Sequence, residues 1–285
     1  MNIPSAKQLL EAGVHFGHKV SRSHPKMKPY IYGAKDGVQI IDLTLSEKML
    51  GEALQYVETL GQNGGKIIFV GTKKQARSIV EELAKDSGAN YLTHRWIGGF
   101  LTNWDEIKKR IKLLKDLKEQ KEKGELGKYT KKEQLLIDRQ ILKLTLDFAG
   151  VLDLEKIPDA LFIVDTVAEK TAVAEAVKLG KSDQGRVVSV VAIADSNCDP
   201  TVIDYPIPGN DDAIKSIRIL TEAVAEAYKT GRASAGKLAV KEEKKAAKVA
   251  QRQADAATLL ENVEVAAAEE KIEKAAVKES ERKVE

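Results

Sequence analysis

One cysteine, Cys198, stands in a chain of 285 residues. A lone thiol excludes an internal disulfide and a multi-cysteine zinc site, and it fits a reducing compartment. No uninterrupted apolar run reaches the ~18 residues that a bilayer-spanning helix needs, although 43% of the residues are apolar. The opening MNIPSAKQLLEAG lacks a charged start followed by an apolar core, so no secretory signal is read and the chain is expected in the cytosol. The nucleotide element G-x-G-x-x-G and the nucleophile elbow G-x-S-x-G are both missing, and Cys198 has no histidine near it in sequence. Nucleophilic catalysis is disfavoured, and the cysteine reads as inert beside a turn.

What is present is enough length for a real hydrophobic core, and charge that is unevenly spread. Net charge is only +3, yet residues 1–37 carry six Lys or Arg against two acids, and residues 105–150 carry thirteen against nine. Local basic surfaces of this kind point to contact with a polyanion.

Ser5, with Gln8 three residues on, reads as the capping box of a first helix that Gly13 ends. The next stretch, GVHFGHKVSRSHPKMKPYIYGAKDG, contains Pro25 and Pro29 and is expected to be extended and loop-like. Then VQIIDL (38–43), KIIFVGT (66–72), NYLTHRW (90–96), ALFIVD (160–165) and VVSVVAIAD (187–195) read as buried strands. Helical segments at about 46–61, 74–87, 168–180 and 211–229 separate or follow most of them. Alternation with nearly continuous apolar strands predicts a parallel sheet covered on both faces, a three-layer α/β domain.

Between NYLTHRW and ALFIVD the rhythm breaks. Asn103 with Glu106 opens one helix, striped by Ile107, Ile111, Leu114 and Leu117; Thr130 with Glu133 opens a return helix with Ile137, Ile141, Leu144 and Phe148 on one face. KGELGKY supplies the glycines of the reversal. At 1.5 Å per residue each arm is roughly 30 Å long. The pair reads as an inserted hairpin, charged on its outer faces, that buries little alone and leans on a partner. From about Ala233 the chain turns to Ala, Lys and Glu, with eleven basic and eleven acidic side chains over 237–285, a composition expected to be disordered or transiently helical.

Three chemistries compete for these residues. His15, His18 and His24 place metal-type donors close together, with Asp195, Asp199 and Asp204 as further ligands, but the spacing matches no strong zinc pattern. GTKKQA (71–76) is a strand–turn–helix junction whose amides and lysines could meet a phosphate, which would suit a phosphometabolite- or nucleotide-binding α/β enzyme. The half P-loop at Gly180, Lys181 and Ser182 has Glu175 where a glycine belongs. RNA binding remains: Lys and Arg supply phosphate affinity, and Phe16, Tyr30, Tyr32, Trp96 and Trp104 are either stacking platforms or packing.

The N-terminal stretch through VQIIDL, together with KIIFVGTKKQA, HRWIGGFLTNW, IPDALFIVD and SNCDPTVIDYPIPGNDDAI, resembles the bacterial family of the second protein of the small ribosomal subunit, ribosomal protein S-two. The likeness runs from about residue 3 to 232 in unbroken order. It implies a flavodoxin-like α/β domain with a protruding hairpin and a non-catalytic role in translation, in the cytoplasm and bound to the ribosome. The implied partners are small-subunit rRNA and neighbouring ribosomal proteins, including the large first protein, whose docking it would help; no membrane, small-molecule substrate, cofactor or metal is expected. Carried over by position, the RNA-facing set is Lys19, Arg22, Lys26 and Lys28, then Arg95, Trp96, Asn103 and Trp104, and on the hairpin Lys108, Lys109, Arg110, Lys131 and Lys132. The expected organisation is 1–37 as N-terminal helix and basic segment, 38–103 with 150–232 as α/β domain, 104–149 as hairpin, and 233–285 as tail. KSDQGR (181–186) and the long tail depart from the family pattern.

Overall fold

The computed structural model describes residues 3–180 and 188–235. The polar stretch 181–186 and the tail beyond 235 lie outside the described residues, which belong to the unit Met1–Ala235. Ser5 and Gln8 close the expected capping box at the head of α1 (Ala6–Glu11), and Gly13, at φ +76°, follows its end.

The next segment is more ordered than a plain loop. It forms β1 (Phe16–Lys19), two 3-10 turns over Val20–Arg22 and Pro25–Tyr30, β2 (Ile31–Lys35) and β3 (Val38–Ile41). These strands pair antiparallel in the order β1-β3-β2, so VQII is not the parallel strand it resembled. The reason is local: Asp36 (φ 53°) and Gly37 (φ 76°) make a two-residue reversal between Lys35 and Val38, which folds β3 back onto β2.

After α2 (Leu43–Gln62), capped by Asp42, the chain alternates β4 (Ile67–Val70), α3 (Arg77–Ser87) and β5 (Asn90–Leu92). The hairpin α4 (Trp104–Glu122) and α5 (Lys131–Phe148) follows. Then come β6 (Ala160–Ile163), α6 (Lys170–Gly180), β7 (Ser189–Ala194), β8 (Tyr205–Pro208) and the helix α7 over 214–235. The five-stranded sheet is parallel throughout, in the order β5-β4-β6-β7-β8. β8 escaped the sequence pattern because Pro206 and Pro208 remove two backbone donors, a loss that an edge strand tolerates.

Alternate side chains of the central strands point into two apolar layers. Ile67, Phe69, Phe162, Val191 and Ile193 face the layer with Leu54, Leu220 and Tyr228; Ile68, Val70, Leu161, Ile163 and Ala192 face the layer with Met27, Phe100, Ile111 and Phe148. Every one of these strand residues is fully buried, which explains the continuous apolar runs.

The second layer includes the root of the hairpin. Ile107, Ile111 and Leu114 of α4 are buried as the stripe predicted, and Phe148 closes α5. Thr130 and Glu133 form the expected capping box, whereas Asn103 makes no side-chain cap, and Glu106 pairs with Lys109 at 3.4 Å instead. The outer face of the hairpin is not wholly charged: Leu135, Leu136, Leu142 and Leu146 of α5 are 52%, 54%, 67% and 56% exposed.

Candidate functional site

Parallel α/β sheets hold ligands beyond the carboxyl ends of their strands. Four loops converge there: Lys73 after β4, Asp165 after β6, Asp195 after β7, and Asp211 with Asp212 after β8. The Lys73 ammonium lies 2.8 Å from Asp165, 2.7 Å from Asp211 and 2.7 Å from Asp212. Burial works against its charge, but the Asp211 charge and the hydrogen bonds to Asp165, Asp211 and Asp212 outweigh it and raise the Lys73 pKa. Burial, followed by the charges of Asp195 and Asp165, pushes Asp211 up to about 7, with Lys73 pulling the other way.

This geometry removes the anion-site reading of Gly71 to Lys74. The partly buried Lys73 ammonium is already shared by three carboxylates, and a cluster with Asp165, Asp195, Asp211 and Asp212 repels phosphate. Gly71 has a packing role, since a Cβ there would lie 2.7 Å from Val80. Cys198 is buried, and burial pushes its thiol up to about 12, so it has no thiolate for chemistry.

The histidines do not act as a set. His18 is drawn to the cluster, with Nδ1 3.2 Å from Asp195 and Nε2 3.4 Å from Asp212. Its pKa is raised, first by the Asp195 hydrogen bond. His24 Nδ1 accepts from the Lys26 amide at the head of a 3-10 turn, and the His15 ring lies tilted against Phe16. Among the described residues, the group whose donor atoms all lie within 4.8 Å of one another is His18, Asp195 and Asp211. One nitrogen and two hard oxygens suit a divalent cation chemically. In this arrangement they serve as a polar clasp. Ser196 completes it: its hydroxyl accepts from the His18 amide at 2.8 Å, and Gly17 is required because a Cβ would lie 2.8 Å from that hydroxyl. The clasp fastens β1, and with it the basic N-terminal stretch, to the sheet.

A second clasp fastens the hairpin. Buried Glu175 on α6 accepts from the Trp96 ring N–H (3.1 Å) and from the backbone N–H of Gly99 (2.7 Å), Leu101 (3.0 Å) and Thr102 (3.3 Å). This carboxylate orders the whole IGGFLT turn that leads into α4. Sequence reading saw position 175 only as a missing glycine; a helical acid facing an apolar strand layer was the available signal. Trp96 and Trp104 are half-buried and both pack against the Phe100 ring, at the junction between the sheet and the hairpin.

The basic residues remain on the outside. Lys19, Arg22, Lys28, Lys108, Arg110, Lys131 and Lys132 are exposed, and none of them has a carboxylate within 4 Å among the described residues. Asn103 is exposed at the root of α4. Two cations of the expected set are tied to remote parts of the fold: Lys26 bonds Asp199 (2.8 Å) and Thr201 (2.9 Å), and Arg95 grips Asp147 (3.1 Å) beside His94. Lys109 is exposed and pairs on the surface with Glu106 of its own helix. Met27 and Tyr30 belong to the same apolar layer as Phe100, Leu101 and Trp104, so the N-terminal stretch and the hairpin root are seated on one face of the sheet.

The family described as "Ribosomal protein S2" matches residues 9–231. The chain is 43% identical over 232 residues to "Small ribosomal subunit protein uS2" of Coprothermobacter proteolyticus, covering 81% of this chain and 84% of that relative. It is 44% identical over 232 residues to the protein of the same name from Fusobacterium nucleatum, covering 81% and 91%.

Proposed function

Because the chain belongs to the ribosomal protein S2 family, we propose that it is a structural, non-catalytic component of the small ribosomal subunit that works in translation, ribosome-bound in the cytoplasm. The observation that carries this reading is family likeness across the whole described fold, from the first helix to α7. The physical observation beside it is cationic side chains held outward on two rigidly fastened elements. Lys19, Arg22 and Lys28 of the N-terminal stretch and Lys108, Lys109 and Arg110 of α4 meet small-subunit rRNA, mainly through phosphates. Lys26, Arg95, Trp96 and Trp104 hold those elements in place, and Asn103, exposed at the root of α4, faces the RNA beside them. Neighbouring small-subunit proteins, including the large first protein, are the remaining partners. No observation favours the enzyme alternative, since its one candidate anion site is a carboxylate cluster.

The test is sucrose-gradient fractionation of lysate at low and high salt. The protein is expected to travel with the small subunit and to leave it as salt rises. A protein that stays at the top of the gradient at every salt concentration overturns the reading.

A further inference from the structure

α5 exposes an apolar stripe that neither the fold nor an RNA contact accounts for. Leu135, Leu142 and Leu146 are each more than half exposed. At 100° per residue they fall within about 40° of one another on the helix, over a length of about 16 Å. Leu136, 54% exposed, adds to one side. The helix buries its other face, through Ile141, Leu144 and Phe148, against the second apolar layer. The leucines therefore form a distinct outward face and are not the edge of the core.

The charges beside this stripe that have no ion-pair partner among the described residues are of one sign. Arg139, Lys132 and Lys143 run along one border, and Lys131 lies on the other; all four are exposed, and none has a carboxylate within 4 Å among the described residues. The acid on that second border, Asp138, is occupied by Lys121 of α4 at 2.7 Å. Leucines at this density do not suit a phosphate surface, which rewards cations and leaves apolar area wet. A second copy of the chain fits no better, because face-to-face pairing of two α5 helices would set Arg139 and Lys143 against the same residues of the other molecule.

We infer that the outer face of α5 is a docking surface for an amphipathic helix of a partner protein whose leucine-like stripe is flanked by Asp or Glu. Apolar side chains of that helix interleave with Leu135, Leu142 and Leu146, and its carboxylates meet Arg139, Lys143 and Lys132 along the border. Lys131 and Lys132, which sequence reading placed on RNA, thereby belong to a protein interface. The hairpin would then have two functions on two helices, with RNA on α4 and a protein on α5.

The experiment uses the purified full-length chain and three labelled 20-residue probe peptides, read by fluorescence anisotropy. One is a helix with leucines at i, i+3/i+4 and i+7 flanked by glutamate, one has lysine in place of the glutamates, and one is the scrambled acidic sequence. Saturable binding of the acidic helix is expected, with the lysine and scrambled peptides at least tenfold weaker. Leu142→Glu with Leu146→Gln should weaken binding about tenfold or more, a loss of ~1.4 kcal/mol or more. Arg139→Glu with Lys143→Glu should invert the preference towards the lysine helix. All four positions are exposed, and a circular-dichroism melt confirms that each variant is folded. Indifference to peptide charge, or to the leucine variant, overturns the proposal. So does a sedimentation profile in which the native chain self-associates and the leucine variant does not, which would assign the face to a second copy. A native chain that refuses every probe overturns it as well.

Discussion

Glu175 has no cation beside it among the described residues, yet it is buried, and its stability rests on the four N–H groups that converge on it. Glu175→Gln leaves donors facing an amide that can accept less and donates in turn. The expected cost is about 2–4 kcal/mol, the range for removing a buried charged acceptor from several hydrogen bonds. A urea titration measures it, and a midpoint unchanged from the native chain would remove Glu175 from this role. His18 has a different signature. Its folded pKa lies above the ordinary 6.5, first because of the Asp195 hydrogen bond. A raised histidine contributes stability that is complete below pH 6.5 and is lost as pH climbs through the folded value. The difference in melting temperature between the native chain and His18→Gln should therefore be largest near pH 5 and shrink towards pH 8. A difference constant with pH would show that the ring contributes shape and not charge.

At the scale of elements, the hairpin divides its labour by helix face. Ile107, Ile111 and Leu114 bind α4 to the sheet layer, which leaves Lys108, Lys109 and Arg110 turned outward on one turn. Replacing these three with alanine keeps helix propensity and removes three cations. Small-subunit rRNA binding should weaken, and the slope of log affinity against log salt should flatten by about 2–3, at roughly 0.7–0.9 for each phosphate that is no longer neutralised. An unchanged slope would take the α4 face out of the RNA interface. The elements also differ in how openly the sequence announced them. Thr130 and Glu133, four residues of local grammar, predicted the start of α5, because a capping box needs nothing beyond its own turn. Asn103 and Glu106 carried a similar signal and formed no box, because the IGGFLT turn before them answers to Glu175, which lies far along the chain. β3 misled for the same kind of reason: its composition suits any sheet, and Asp36-Gly37 decided which one it joined.

For the whole molecule, the parallel sheet, its covering helices and the inserted hairpin were legible in advance, because period and capping are properties of short segments. The candidate site was legible only in part. Lys108, Arg110, Lys19 and Lys28 were readable as surface cations, since solvated lysines declare themselves by composition. What Lys26, Arg95, Trp96 and Trp104 do was not readable, because each is committed to a partner remote in sequence or in the turn that Glu175 shapes: Asp199, Asp147, Glu175 and the ring of Phe100. The exposed leucines of α5 were likewise hidden, since the heptad spacing that builds a core face and a docking face is the same. By itself the sequence determined the alternation of the central strands and helices, the inserted hairpin, the fold class and the family, all of which follow from local periodicity and from blocks of residues in unbroken order. Only the tertiary structure decided that four acidic and basic loops close over one another as a clasp instead of opening as an anion site, and which face of the hairpin remained uncovered. Those outcomes depend on the distances between residues far apart in the chain, and burial and charge pairing act through those distances.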